Sequence, residues 1–346
     1  MAGKEVDVAV VGAGAAGLYL AGLLEKRLRV LVIEEHGKVG GKACSGLFSS
    51  RLKEFLKPSK EFVEHTVSGA RLSLPSGTMV KVEKKGIAAY VVNRSAFDSY
   101  LASRLDSEIR FGERMERLSF DEDGVHIETD KNEYAAKMVV GADGANSAVR
   151  RHFNAKPGEI VNGLIAIKEG KNEERFVELF FDKNIVRDGF FWKIPRGART
   201  EWGLFGKNAK FSMLEEFFSL EGYHREAAYI PIGPSKTAFD RTILIGDAAG
   251  ITKPWSGGGV MYALNCAKIA SEVIFNAFSK KDFSVETLSA YEAGWKRQIG
   301  RNIELGLFFR EIFKEADNKS LESMFMQANE SLLSMRDMDF PLTDIG

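Results

Sequence analysis

The feature that most constrains this chain is the stretch from Val6 to Gly17. A short, mostly apolar run, Val6 to Val11, is followed at once by Gly12-Ala13-Gly14-Ala15-Ala16-Gly17. A run of that length reads as a parallel strand buried on both faces. The three glycines then serve different needs. Gly12 allows a tight turn, Gly14 lets the backbone approach a pyrophosphate, and Gly17 lets the following helix pack close to the strand. Leu18 to Glu25 continues as that helix and Arg29 to Ile33 returns as a second strand, completing one βαβ unit. The helix N-terminus offers free N–H groups to phosphates. Glu34 closes the second strand, 17 residues after Gly17, where a carboxylate accepts hydrogen bonds from adenosine ribose hydroxyls. Gly12, Gly14, Ala15, Ala16, Gly17 and Glu34 are therefore candidates for holding a dinucleotide. The competing reading is a glycine turn without a ligand.

The rest of the chain alternates between two kinds of pattern. Residues 38–50 are glycine-rich and polar, hence a loop, and Leu52 to Leu56 reads as a short helix. From Arg71 to Val92 the pattern is alternating strands with a turn at Pro75-Ser76-Gly77. Asn93 is placed to cap a helix running to about Leu105. Strand patterns resume at Ile109, Met115 to Phe120, Val125 to Thr129 and Met138 to Val140, with a hairpin turn at Asp121 to Gly124. A second β-rich block covers about 159 to 206, and Phe211 to Leu220 reads as a helix. Thr242 to Ile245 is another buried strand, and a long helix follows Gly257 to Gly259. The tail from about 286 onward is helical, with Leu321, Met324, Phe325, Ala328 and Leu332 forming a stripe that packs on the protein. Strands belonging with the first βαβ unit are scattered over the chain. The expected fold class is therefore α/β plus α+β: a discontinuous Rossmann-type domain (1–68, 93–158 and 236–300), an inserted, mostly antiparallel sheet domain (69–92 and 159–235) and a helical C-terminal segment (301–346).

Composition excludes several classes of function. Lys plus Arg and Asp plus Glu both number 48, so no global basic field is available to gather nucleic acid. Cys44 and Cys266 are far apart and form no CxxC pair, which argues against a disulfide framework or a zinc site and fits a reducing cytosol. The five histidines show no paired metal spacing, so no metal is expected. His36, just past Glu34, is placed near adenosine. The start Met-Ala-Gly-Lys-Glu has no signal-peptide pattern, and no apolar run approaches the roughly 20 residues of a spanning helix. A cytoplasmic protein is expected, with a peripheral place at a membrane surface as an alternative.

Two further motifs extend the ligand site. In Gly141-Ala142-Asp143-Gly144-Ala145-Asn146-Ser147-Ala148-Val149-Arg150, Asp143 and Gly144 suit a turn that starts a helix. In Ile245-Gly246-Asp247-Ala248-Ala249-Gly250, Asp247 follows a buried strand and is placed to meet a ribityl chain, or to cap a helix. Pro254 and Gly257-Gly258-Gly259 come next and aim backbone N–H groups at the isoalloxazine end of a flavin, where negative charge accumulates on reduction.

In this order, the motifs resemble the flavoprotein superfamily of aromatic hydroxylases and geranylgeranyl reductases, over roughly residues 1 to 300. Within it the chain looks most like an archaeal-type geranylgeranyl reductase. Lys42-Ala43-Cys44-Ser45-Gly46 is similar to a cysteine-containing loop near the flavin. Val92-Asn93-Arg94-Ser95-Ala96-Phe97-Asp98 matches an arginine-containing helix start. Pro254-Trp255-Ser256-Gly257-Gly258-Gly259 matches a glycine triplet. Hydroxylases usually have a His where this chain has Gly250. Phe190-Phe191-Trp192-Lys193-Ile194-Pro195 with Gly203 and Gly206 resembles a Tyr-x-Trp-x-Phe-Pro pattern that lines an isoprenoid pocket, with Phe190 replacing Tyr and Ile194 replacing Phe.

The resemblance implies FAD as cofactor, with Cys44, Ser45, Arg94, Asp143, Gly144, Asp247, Gly257, Gly258 and Gly259 joining the first glycine motif in its site. It implies a substrate wall of Phe190, Trp192, Ile194 and Trp255. By alternation alone, Phe190, Trp192 and Ile194 share one face of a strand, which serves a sheet core as well as a lipid pocket. Cys44 is a candidate catalytic thiol or a small buried filler. Cys266 reads as core. The implied activity is saturation of isolated C=C bonds in geranylgeranyl chains, by hydride transfer from flavin N5. The expected partners are an isoprenoid lipid and an external electron donor, either a ferredoxin-like protein or NAD(P)H. The alternatives are a monooxygenase acting on an aromatic or polyketide-like substrate, and a flavin electron carrier without turnover.

Overall fold

The computed structural model describes residues 4–327 and 330–341. β1 (Lys4–Val11) runs into α1 (Ala15–Leu24) and returns as β2 (Val30–Glu34). The two strands are parallel, with Val8 opposite Val30 and Val11 opposite Ile33. Every residue of β2 is buried, which is why its sequence shows no polar alternation. The chain then forms β3 (Leu47–Ser49), β4 (Val63–Val67), β5 (Gly69–Ser73), β6 (Met79–Glu83) and β7 (Ala89–Val92). A 3-10 turn at Ser50–Glu54 replaces the short helix expected over Leu52 to Leu56.

α2 (Arg94–Ala102) begins at Asn93, whose side chain accepts from Ala96 N at 3.0 Å, the cap its position implies. β8 (Glu108–Phe111), β9 (Met115–Phe120), β10 (Val125–Thr129) and β11 (Glu133–Gly141) follow, then α3 (Ala148–His152). Next come β12 (Glu159–Asn172), β13 (Phe176–Phe180), β14 (Phe190–Pro195), β15 (Gly197–Gly206), α4 (Phe211–Phe218) and β16 (His224–Ile232). The chain returns through β17 (Ala238–Phe239) and β18 (Thr242–Leu244). It ends in α5 (Val260–Lys280), α6 (Val285–Trp295), α7 (Arg301–Glu315), α8 (Asn318–Met326) and α9 (Glu330–Met335).

The first sheet has the order β17-β18-β11-β1-β2-β8, with β10 and β9 continuing from β11. β1 sits centrally, parallel to both β11 and β2. The second sheet has the order β16-β12-β15-β14-β13-β5-β6 and is antiparallel except where β13 meets β5. β7 pairs with β3 and β4 in a third, small sheet. The α/β plus α+β class expected from sequence is the one observed, with a Rossmann-type sheet, a mostly antiparallel sheet and a helical C-terminal region. No helix among the described residues is long and apolar enough to cross a membrane.

The second sheet carries an apolar cluster on each face. Phe190, Trp192 and Ile194 belong to one buried cluster with Phe205, Ile165 and Val177. Phe191 points the other way and stacks on Phe217 of α4, with ring centroids 4.0 Å apart. The alternation expected for β14 is thus present, and much of the phenylalanine content lines these two faces. Within the expected tail stripe, Leu321 is buried and Phe325 meets Phe181 edge-on at 5.5 Å. Met324 is instead 49% exposed, because α8 docks through its i, i+4 row and Met324 lies beside that row. Ala328 and the side chain of Leu332 lie outside the described residues. Beyond α9 the chain turns back, and Asp339 and Phe340 are buried in the body of the molecule.

Candidate functional site

The glycine turn after β1 and the turn after β11 are pressed together. Gly12 has φ +105°, and a Cβ there would lie 2.4 Å from the carbonyl oxygen of Ala142. A Cβ on Gly17 would lie 2.0 Å from the oxygen of Gly12, so α1 packs directly on the turn. No side chain caps α1 at Gly14. Its N-terminal N–H groups therefore have no side-chain acceptor, as a site for an anion would need. Glu34 Oε2 accepts from Ala13 N at 2.7 Å, and Oε1 from His36 N at 3.0 Å. His36 Nδ1 lies 2.6 Å from the same carboxylate.

The second motif is held from inside. Asp143 Oδ2 accepts from Ala148 N at 2.6 Å and Val149 N at 3.1 Å, and the Ser147 side chain caps α3 through Arg150 N at 2.9 Å. The other oxygen, Asp143 Oδ1, is buried without a partner among the described residues. Burial pushes this carboxyl up, with the helix-start donors acting against it. Arg150 ties the second motif to the third, donating to the carbonyls of Ala145 at 2.5 Å and Ala248 at 2.9 Å. Asp247 faces the glycine triplet, since a Cβ on Gly259 would lie 2.9 Å from its Oδ1. Its Oδ2 pairs with Lys42 Nζ, from the Cys44 loop. No side chain caps α5 at Gly259.

Arg94 stands over the first turn, where its Nη2 would be 3.7 Å from a Cβ on Gly14. It is 9% exposed and pairs with Asp98 at 2.9 Å. Burial works against its charge, but the Asp98 carboxylate and the adjacent Cys44 sulfur more than offset that and raise its pKa. Cys44 is half-buried, and its Sγ accepts from Gly46 N at 3.4 Å. Cys266 is fully buried, and burial pushes its thiol up to about 12.

Contacts between neighbouring motifs link the predicted residues: Ala142 and Arg94 pack on the Gly12–Gly17 turn, Arg150 joins the Asp143–Gly144 motif to the Asp247 motif, Asp247 meets Gly259, and Lys42 of the Cys44-Ser45 loop pairs with Asp247. The apolar face of β14 meets the Cys44 loop. Ala43 and Leu47, on either side of Cys44-Ser45, pack on the cluster of Phe190, Trp192 and Ile194. At the opposite edge, a Cβ on Gly257 would lie 2.7 Å from Phe205 and 3.1 Å from Ile230, residues of the same face. Trp255 packs against α7, where a Cβ on Gly306 would come 2.6 Å from its ring.

Sequence reasoning did not find Lys42, which pairs with Asp247, or Arg196, whose Nη2 donates to the Ser45 carbonyl at 2.6 Å. It also missed Lys253, whose ammonium would be 2.9 Å from a Cβ on Gly258 and pairs with Asp339. No periodicity marks such residues. The available signals were a lysine two positions before Cys44 and an arginine directly after Pro195.

These features fit a dinucleotide with a flavin. The space over Gly14 is bounded by a cation, the Glu34 carboxylate is fixed against the turn, Asp143 Oδ1 is a buried acceptor without a donor among the described residues, and neither α1 nor α5 has a side-chain cap at its start. Comparison with known proteins agrees. Residues 5–166 match the FAD binding domain family, and residues 218–332 match the lycopene cyclase protein family. The chain is 31% identical, over 94% of its length and 91% of the relative's, to a digeranylgeranylglycerophospholipid reductase of Methanocaldococcus jannaschii. It is 30% identical, over 95% of its length and 92% of the relative's, to the protein of that name from Methanococcus vannielii. Its fold is shared with a geranylgeranyl bacteriochlorophyll reductase-like protein of Thermoplasma acidophilum, with a TM-score of 0.87 and 20% identity over 99% of this chain and 94% of that one. The cofactor of this chain is FAD.

Proposed function

From the premise that this chain belongs to the archaeal digeranylgeranylglycerophospholipid reductase group of FAD-dependent oxidoreductases, we propose that it saturates isolated C=C bonds of a geranylgeranyl chain carried on a membrane-lipid precursor. The observation that carries this reading is the contact of the Phe190–Trp192–Ile194 face with both the Cys44 loop and Gly257. It brings an apolar wall suited to a long hydrocarbon up to the loops that would border the flavin ring.

FAD, when bound and reduced, supplies a hydride from its N5. The chain's residues supply the rest. The glycine turn, Glu34, Arg94, Asp143 and Asp247 hold and orient the cofactor. Gly257 to Gly259 let Phe205, Lys253 and Asp247 close in on the start of α5, and their backbone N–H groups are offered to the cofactor. Phe190, Trp192, Ile194 and Trp255 bind the chain and keep water out, at about 0.8 kcal/mol per buried CH₂. An isolated alkene has no carbonyl to spread charge, so the bond must be held in a dry, fixed position while the proton arrives. Cys44 Sγ, beside Arg94, is the group placed to hold that proton. In this reading 1–68, 93–158 and 236–300 serve the cofactor and 69–92 and 159–235 the substrate, with the small β3–β7–β4 sheet spanning both parts. An external donor, ferredoxin-like or NAD(P)H, reduces the cofactor, and the lipid is met at a membrane surface.

Chemically reduced enzyme, given a geranylgeranyl lipid without oxygen, is expected to yield products heavier by pairs of hydrogens in mass spectrometry. The competing reading is a monooxygenase. Gly250 speaks against it: φ is +73°, and a Cβ there would lie 2.5 Å from Gly233 O, so the side chain that hydroxylases usually carry has no place. Oxygen consumption with hydroxylation of an aromatic acceptor, and an untouched isoprenoid, would overturn the reductase reading.

A further inference from the structure

Buried polar side chains join the aromatic strand to the Cys44 loop. Trp192 Nε1 donates to Glu201 Oε1 at 2.7 Å, and Arg196 Nε donates to Glu201 Oε2 at 2.8 Å. Glu201 is 0% exposed and Arg196 5%. The same guanidinium donates through Nη2 to the Ser45 carbonyl at 2.6 Å and through Nη1 to Glu64 Oε2 at 2.5 Å. Glu64 Oε1 in turn accepts from Asn93 Nδ2 at 3.0 Å, and Asn93 caps α2 one residue before Arg94. Trp192 is held sterically as well. It lies opposite Gly203 on β15, where a Cβ would come 1.9 Å from the indole ring.

Stability alone does not account for this arrangement. Taking carboxylates and a guanidinium out of water is costly, and well-packed apolar residues often replace such groups without loss. A buried fork of donors does fix geometry, because the planar guanidinium satisfies several acceptors at set angles. Here the acceptors lie on separate parts of the chain: Glu201 on β15, Glu64 on β4, and the Cys44-Ser45 loop. We infer that Arg196, held by Glu201 and Glu64, is a positioning residue that sets the Cys44-Ser45 backbone relative to the Trp192 indole, so that thiol and aromatic wall address the same bond. The catalytic part of this inference rests on the reductase reading; the geometric part does not.

The two free thiols allow a test on the FAD-loaded protein. Cys44 is half-buried and Cys266 fully buried, so alkylation by iodoacetamide, read peptide by peptide in a mass spectrometer, reports the loop at Cys44 and general opening at Cys266. Arg196→Lys keeps the charge but loses the fork. Trp192→Phe removes the indole donor and keeps an aromatic ring of smaller volume. Glu201→Gln keeps an acceptor for Trp192 and loses the charge facing Arg196, and it serves if the lysine variant does not fold. The expected result is a change in Cys44 labelling of about tenfold with Cys266 still protected. In Arg196→Lys and Glu201→Gln, lipid turnover should fall in kcat by more than KM changes. Unchanged Cys44 labelling in the folded variants would overturn the inference. So would a joint rise at Cys44 and Cys266, which marks loosening and not positioning. If the wild-type protein reduces no isoprenoid, the reductase reading falls, while the labelling still decides the network.

Discussion

Glu34 Oε2 accepts a hydrogen bond from Ala13 N at 2.7 Å, so the carboxylate at the end of β2 is fixed against the turn at the end of β1. Replacing Glu34 by Ala removes both this brace and the acceptor proposed for the adenosine ribose. FAD retention is expected to weaken by about 1.5–3 kcal/mol, the range for a charge-assisted hydrogen bond. Titrating apoprotein with FAD and following flavin fluorescence measures it. An unchanged affinity would show that the acid has no part in holding the cofactor.

Arg94 and Asp98 pair at 2.9 Å with side-chain exposures of 8% and 2%. Removing one partner leaves the other charge buried alone, which typically costs about 3–5 kcal/mol. Arg94→Met should therefore unfold at much lower urea concentration than the wild type. Arg94→Met combined with Asp98→Leu should recover most of that loss, and FAD affinity should not recover with it. Urea titrations followed by far-ultraviolet circular dichroism, with parallel FAD titrations, separate the two effects.

Trp192→Ala removes a large buried ring and strands Glu201 Oε1, its hydrogen-bond acceptor. The expected loss in stability is about 3–5 kcal/mol. The functional signature is more selective: KM for a geranylgeranyl lipid should rise, while FAD affinity stays near the wild-type value. A variant that loses cofactor and lipid binding equally would remove Trp192 from the substrate wall.

Glu159 fastens α7 to β12, with Arg310 Nε at 3.0 Å and Lys314 Nζ at 3.2 Å. Burial pushes its carboxyl up, but the two cations more than offset this and hold it below the usual carboxylate range. A carboxyl whose folded pKa is lowered stabilises the protein above its unfolded pKa, and that contribution disappears as pH falls through the folded value. Wild type should therefore melt above Glu159→Gln at neutral pH, with the gap closing below the ordinary Glu pKa of 4.5. Melting curves across that window, compared between the two proteins, check the sign.

What the sequence revealed and what it hid divide along a physical line. The β1–α1–β2 unit, the Asn93 cap and the two-residue alternation of Phe190, Trp192 and Ile194 are written in local spacing, because neighbours along the chain decide them. The partnership of β5 with β13 is not, since it joins Gly69 to Phe176 in parallel across more than a hundred residues. β4 escaped notice for a similar reason. None of its first four residues, Val63 to Thr66, is fully buried, so no apolar alternation announces it. Lys42, Arg196 and Lys253 are polar residues whose meaning comes entirely from partners elsewhere in the fold. Their side chains became legible only once those partners were in place.

The segment beyond α9 carries a consequence for how the molecule is made. Asp339 accepts from Ser49 N at 2.9 Å and pairs with Lys253 beside the glycine triplet, and Phe340 packs on Tyr262 with ring centroids 5.4 Å apart. On a ribosome, Ser49 is made 290 residues and Lys253 86 residues before Asp339, so both precede the partner that joins them. The loop that would face the flavin thus reaches its final setting only after residue 340 has been released. A nascent chain stalled short of that point already holds the whole β1–α1–β2 unit and lacks the residue that joins Ser49 N to the Lys253 ammonium.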